Sequence, residues 1–356
     1  MFAHLHGIEV RHSGEDPVLS IAWIAGVSGV DLFFVISGFI MVWVAGDTVP
    51  TRQNAAKFLF ARIMRIYPLW WLFAAAMAAY FLMSYGVPWD AEKLAAANVS
   101  GAEHMIKSFL LIPHDAFPIL PLGWTLMHEM YFYVVFALIL LLPQRYRIQA
   151  CMLWAMIIVA AISAQITGFY ANSVLNLILF PMTLEFLLGA GAASMIKAGW
   201  MQYRWLALGL GLVALVLAYL NVDFQSTDAL LPTARTFAYG PAFALLLYAV
   251  VAIERTSRFG QLIPQFAVRL GDWSYSLYLC HLLVISAIAR VFFAYFGQAG
   301  TIDNIIFLLI SVVATVVISG LVYHVFERRI LSVSKRARSA WFDSPGKVQS
   351  PKPISS

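Results

Sequence analysis

The chain has 356 residues, 62% of them hydrophobic and only 12% charged, about half the roughly 25% usual in a soluble domain. So little charge cannot cover a water-facing surface, and with a mean hydropathy of +0.80 a cytosolic enzyme, a nucleic-acid-binding protein and a disordered chain are excluded. Lys and Arg outnumber Asp and Glu by 23 to 18, and the two cysteines exclude a disulfide scaffold or a zinc-cluster protein. The composition is that of an integral membrane protein.

A membrane-spanning helix needs about 20 mostly apolar residues. In chain order such runs lie near 28–46, 66–86, 120–142, 148–168, 173–196, 202–221, 233–252, 273–297 and 302–326. Residues 1–8, apolar apart from two histidines, read as the end of a further helix that runs into a polar segment at 9–17. No basic stretch precedes them, so a signal peptide is not expected; the chain is expected to begin partway through its first helix. The predicted fold is therefore all-α, a polytopic transmembrane bundle of about ten helices with the first truncated. It occupies residues 1–330, and a basic, disordered tail is expected over 331–356.

Alternate connections carry Arg52, Lys57, Arg62 and Arg65; Arg145 and Arg147; Lys197 and Arg204; and Arg255, Arg258 and Arg269. Together with seven basic residues after position 327 these are eighteen of the 23. The opposite connections hold only Arg11, Lys93, Lys107 and Arg235, and Arg290 falls within a span. By the positive-inside rule the first set, and the C-terminus, lie in the cytoplasm. The basic excess is then a topology signal and calls for no nucleic-acid partner. The longest connection, 87–119, falls outside, and two readings are open for it: a cover over an external substrate site, or a solvated loop.

Ionisable groups within apolar spans are costly and mark function by default. GVDLFFVISGF (29–39) holds Asp31 near its outer end and Ser37-Gly38 deeper; close helix packing at Gly38 and a capping Asp31 are the competing structural reading. RIMRIYP (62–68) places Arg62 and Arg65 on one helix face, with Pro68 fitting the first turn of the next span. Two guanidiniums there suit phosphates, through forked hydrogen bonds, or serve as ordinary basic anchors. GWTLMHEMYFY (123–133) carries Glu129 near mid-membrane, with Thr125 a turn before and Tyr133 a turn after; either a polar clamp between helices or a catalytic carboxyl fits, and His128 is expected to be peripheral. Glu185, ahead of the small-residue patch at 189–193, is read as helix packing or as a cation partner. In LGDWSYSLYLCH (270–281), Ser274, Tyr278 and His281 share one helical stripe expected to face the bundle interior. Cys280 lies too far round the helix to pair with His281, and Cys151 is read as a buried filler. YHVFERR (323–329) offers His324, Glu327 and Arg328 to lock the last helix end to a neighbour.

These strings, in this order, resemble the acyltransferase-3 family of membrane acyltransferases, which includes O-acetyltransferases of exopolysaccharide and O-antigen. The likeness runs from His4 to Arg329 and is greatest to the rhizobial-type exopolysaccharide acetyltransferases. The resemblance implies a bundle in the bacterial inner membrane that takes acyl-CoA, expected to be acetyl-CoA, at the cytoplasmic face and passes the acyl group to a carbohydrate hydroxyl. No metal is expected. It places Arg62 and Arg65, with Tyr67, at the acyl-CoA end, and Trp124, Tyr133, Ser274 and Tyr278 at the substrate. The family's essential histidine matches His4, with His6 the competitor; the arginine that precedes it in the family has no counterpart here. Transfer to an alcohol needs a base for its proton, a task suited to His, and His4 is expected to serve with Asp31 orienting it and Glu129 and His281 lining the passage. A proton-coupled glycan transporter and an inactive assembly partner are the alternatives.

Overall fold

The nine apolar runs become nine long helices among the described residues, seven of them with both ends within five residues of the positions read from the sequence. The computed structural model describes residues 1–13, 20–166, 174–221, 232–258, 263–296 and 301–343. In chain order the helices are α1 (Phe2–Ser13), α2 (Ser20–Ala45), α3 (Arg52–Tyr85), α4 (Ala91–Ala96), α5 (Gly101–Leu110), α6 (Gly123–Leu140), α7 (Gln144–Ser163), α8 (Val174–Ile178), α9 (Thr183–Lys197), α10 (Arg204–Asn221), α11 (Pro232–Thr256), α12 (Gln265–Asp272), α13 (Ser274–Tyr295), α14 (Thr301–Val322) and α15 (Arg328–Phe342). A π-helical turn, Tyr323–Glu327, joins the last two. No strand occurs among the described residues, as expected where lipid offers backbone groups no partner outside the helix. The chain is a multi-pass membrane protein.

Four expectations are corrected. α3 starts at Arg52, where Thr51 accepts the Asn54 N–H at 3.1 Å, so Pro68 lies inside a 34-residue helix rather than at its first turn. The proline removes the N–H that would pair the Met64 carbonyl, a loss that membrane helices tolerate; separately, Tyr275 of α13 donates to the Ile66 carbonyl at 2.8 Å and ties α13 to α3. The expected tail is helical as far as Phe342, because α15 docks on the first turns of α3: Lys57 pairs with Asp343 at 2.6 Å, and Phe60 packs on Trp341. Residues 344–356 lie outside the described part. The polar segment at 9–17 begins as helix, α1 continuing to Ser13 with Glu9 buried; 14–19 are outside the described residues. Arg235, read as a loop cation, lies in the first turn of α11 and is buried.

α2 and α9 cross with their backbones close together. A methyl group on Gly38 would overlap the Phe186 carbonyl, and one on Gly189 the Val35 carbonyl. Bilayers supply little hydrophobic drive for helix association, so such small-residue contacts do it instead. Gly189→Val is expected to cost at least about 3 kcal/mol, the upper end for overpacking, and to leave little monodisperse protein in detergent. A normal melting curve would contradict this contact.

The basic connections gather at one end. Lys197 reaches Asp47 at 2.6 Å, Arg147 donates to the carbonyls of Gly46, Thr48, Leu140 and Leu142, and Arg255 lies 5.0 Å over the Trp43 ring. From the other end, residues 87–119 fold back onto α3 rather than forming a solvated loop. Trp70, Trp71 and Tyr67 donate to the Ser108, Phe109 and Leu110 carbonyls at 3.1, 3.0 and 2.8 Å, the last two being carbonyls that the end of α5 cannot pair itself.

In the same segment His104 Nδ1 meets His114 Nε2 at 3.0 Å, and His114 Nδ1 lies 3.1 Å from the Ile112 carbonyl. A carbonyl only accepts, so His114 carries its proton on Nδ1 and His104 Nδ1–H is the donor between the rings. Burial first, then the neighbouring His114, pushes His104 down to about 4; burial lowers His114 as well. Both are neutral when folded, and the unfolded chain binds more protons below about pH 6.5. Their contribution is thus present above that pH and is lost as pH falls toward 4. Amide protection factors in 87–119, taken relative to the intrinsic exchange rate at each pH, are expected to be several-fold lower at pH 4.5 than at pH 7, while those of α6 are unchanged; equal protection factors at both would contradict the pairing.

Candidate active site

One continuous line of polar side chains threads the apolar bundle. It begins on α3, where the Arg62 guanidinium lies 5.3 Å from the Phe58 ring and 5.5 Å from that of Tyr133, its Nε buried without a partner. One turn on, Arg65 forms an ion pair with Glu327 at 3.0 Å and lies 5.5 Å over the Tyr275 ring. Glu327 is held in turn by Ser276, which donates at 2.5 Å. The π-helical turn presents Glu327 there; such turns recur at functional sites.

Next comes Glu129 on α6, buried, accepting from Ser37 at 3.2 Å and from Tyr133. A turn before it Thr125 meets the Tyr278 hydroxyl, which also reaches the Leu122 carbonyl at 2.7 Å. Tyr278 stacks on Phe33 and stands 6.1 Å from the His281 ring. The line ends where His281 meets His4 of α1, ring centroids 5.3 Å apart. His281 Nδ1 lies 2.7 and 3.2 Å from the Tyr278 and Leu277 carbonyls. The proton is therefore on Nδ1, and Nε2, buried and unpartnered, keeps its lone pair.

Six residues of the sequence reading stand elsewhere. Asp31 does not reach His4; it pairs with Arg235 at 2.6 Å, both buried, because an unpaired carboxylate there would be far costlier than one held by a guanidinium. Arg235 also donates to the Val27 carbonyl at 2.9 Å, and Glu185 lies beside this pair and Thr236. Tyr67 is turned away to Leu110. Ser274 is exposed at the start of α13, and the buried serine of that string is Ser276. Trp124 packs among Phe34, His128 and Phe180. His128 is buried rather than peripheral, 4.2 Å from the Phe180 ring. Cys151 is half-buried and lines a groove. Arg235 and Ser276 escaped sequence reasoning. A cation three residues into an apolar run, after Pro232, was the available signal for Arg235; for Ser276 there was none.

The model of an acyltransferase domain matches residues 1–324, nearly the whole chain and every residue of the polar line except Glu327. The chain belongs to that family. This acyltransferase is 32% identical over 277 residues to the exopolysaccharide production protein ExoZ of Rhizobium meliloti, across 74% of this chain and 78% of the relative. It is 26% identical over 357 residues to the acyltransferase MdmB of Streptomyces mycarofaciens, across 92% and 87%. Protein 2 of the picA locus of Rhizobium radiobacter is 33% identical over 136 residues, covering 35% of this chain and 68% of the relative. No solved structure matches the chain. As an acyltransferase it needs a donor site, an acceptor site and a proton acceptor, and the polar line is where the bundle holds groups fit for those tasks.

Proposed function

We propose that the protein moves an acetyl group from acetyl-CoA, bound at the cytoplasmic face of the bacterial inner membrane, to a hydroxyl of an exopolysaccharide or its precursor. The polar line carries this reading: it joins two guanidiniums at the end where the basic connections gather to a histidine pair deeper in the bundle. Arg62 and Arg65 would hold the donor's phosphates by charge-assisted, forked hydrogen bonds; the orphaned Nε of Arg62 is consistent with a missing anionic partner. Thr125 and Tyr133 lie about 12 Å apart along α6, so an extended pantetheine arm alongside Glu129 would bring the thioester toward Tyr278. The relationship to an exopolysaccharide production protein supports the acceptor class.

At the histidines the acceptor oxygen attacks the thioester carbon while its proton passes to His281 Nε2. Collapse of the tetrahedral intermediate breaks the C–S bond, and the imidazolium returns the proton to the departing CoA thiolate. The fixed tautomer of His281 makes its Nε2 the accepting atom, with His4 packed against the ring; the sequence reading had put the base at His4.

The test is membranes containing the protein, labelled acetyl-CoA and the exopolysaccharide. CoA release with label on the glycan is expected, and Arg62→Ala should raise the KM for acetyl-CoA roughly 10- to 100-fold, the worth of a charged hydrogen bond, with kcat nearly unchanged. Glycan movement without acylation would favour a transporter instead.

A further inference from the structure

Toward the end where the basic connections gather, a groove of ≈ 640 Å³ opens between α6, α7, α9 and α11. Its walls are apolar, Phe136, Ile139, Ile148, Met152, Leu184 and Leu187 among them. Ile148 and Met152 are 59% and 61% exposed, which places the opening toward lipid. In the hydrocarbon layer no water is available to fill such a space, and an empty one would leave its lining without contact atoms. The occupant must therefore be apolar along most of its length.

The mouth differs from the walls. Lys197, Arg147, Asp47 and Gln144 line it; Arg147 gives its donors to four carbonyls and Lys197 pairs with Asp47 and the Val42 carbonyl, so two cations face one anion and the Lys197 ammonium keeps one N–H for a phosphate. Leu184 and Lys197, at opposite ends of the groove's α9 wall, are thirteen residues apart, about 20 Å of helix. That spans one leaflet's share, about 15 Å, of the hydrocarbon core and reaches the headgroup level. We propose that this groove is a phospholipid site: one acyl chain lies along α7 and α9, and the phosphate sits at Lys197, with the Arg147 charge beside it.

Gly191 offers the means of testing it. It lines the groove, and a methyl group added there meets nothing within 4 Å, so the backbone leaves room for a side chain that enters the groove. Gly209 on α10 is equally open but lies outside the groove, and serves as the control. The experiment uses full-length protein in nanodiscs of phosphatidylglycerol doped with a phospholipid carrying a diazirine on its acyl chain, followed by peptide mapping of the crosslinks. Crosslinks are expected to concentrate on α7 and α9, to fall at least fivefold in Gly191→Phe, and to be unchanged in Gly209→Phe. Should Gly191→Phe lose its monodisperse peak, Cys151→Trp fills the same groove from α7. Crosslinks spread evenly over all lipid-facing helices and insensitive to the filling variant would overturn the proposal. So would labelling of the groove by diazirine palmitic acid but not by the phospholipid.

Discussion

Replacing His281 with alanine is expected to lower the rate of acyl transfer by about 10²- to 10⁴-fold, the usual contribution of a general base, with the KM for the donor within about threefold of wild type. The reason is local. Two carbonyls of its own helix hold His281 Nδ1, which leaves the buried Nε2 as a proton acceptor. The ring is boxed by His4 and Tyr278 and cannot turn its other edge to a substrate without breaking those bonds. His4→Ala should be slower by a smaller factor if the ring positions its neighbour, and by a comparable one if it also handles the proton. Rates measured by CoA release, with melting curves to confirm folding, decide the matter; a His281→Ala protein with more than a tenth of wild-type turnover would remove that residue from the chemistry.

The second large effect concerns stability. Asp31 and Arg235 are buried partners at 2.6 Å that tie α2 to α11. Removing Arg235 strands Asp31 next to Glu185, which costs about 3–5 kcal/mol; removing Asp31 leaves Arg235 with Glu185 beside it, and the cost falls at the lower end of that range. Arg235→Ala and Asp31→Ala are each expected to be severely destabilised, and the double variant less so than the sum of the two, a coupling read directly from a double-mutant cycle. Per folded molecule, the double variant should retain most of its acyl transfer. Additive losses, or a folded Asp31→Ala protein without activity, would return Asp31 to the catalytic role its sequence context suggested.

The nine spans were legible because about 20 apolar residues in a row admit one structure in lipid, and the gathering of basic residues at one end followed from charge alone. The glycine contact between α2 and α9 was legible too, as small residues within apolar strings. At the site, Glu129, Tyr133, Tyr278, His281 and His4 were found because each is a polar side chain in an apolar run, and helical spacing put Thr125 on the face of Glu129. What spacing could not supply was the partner across helices. Asp31 had several possible neighbours, and only the packing of α11 shows that Arg235 takes it. Tyr67 stands two residues from Arg65 in the sequence but faces a different helix. Ser274 and Ser276 were equally good candidates until the start of α13 fixed which was buried. The helical nature of α15 was hidden because its composition is polar and its stability comes from docking on α3.

The polar line as a single donor-to-acceptor route is tested most directly by an acyl-CoA analogue with a diazirine at the acyl end, photolysed on the purified protein and mapped by peptide sequencing. The label is expected on α13 between Tyr278 and His281, or on α1 beside His4, and to be lost in Arg62→Ala at sub-saturating donor. Label confined to α7 and α9, or unaffected by Arg62→Ala at any donor concentration, would contradict the account.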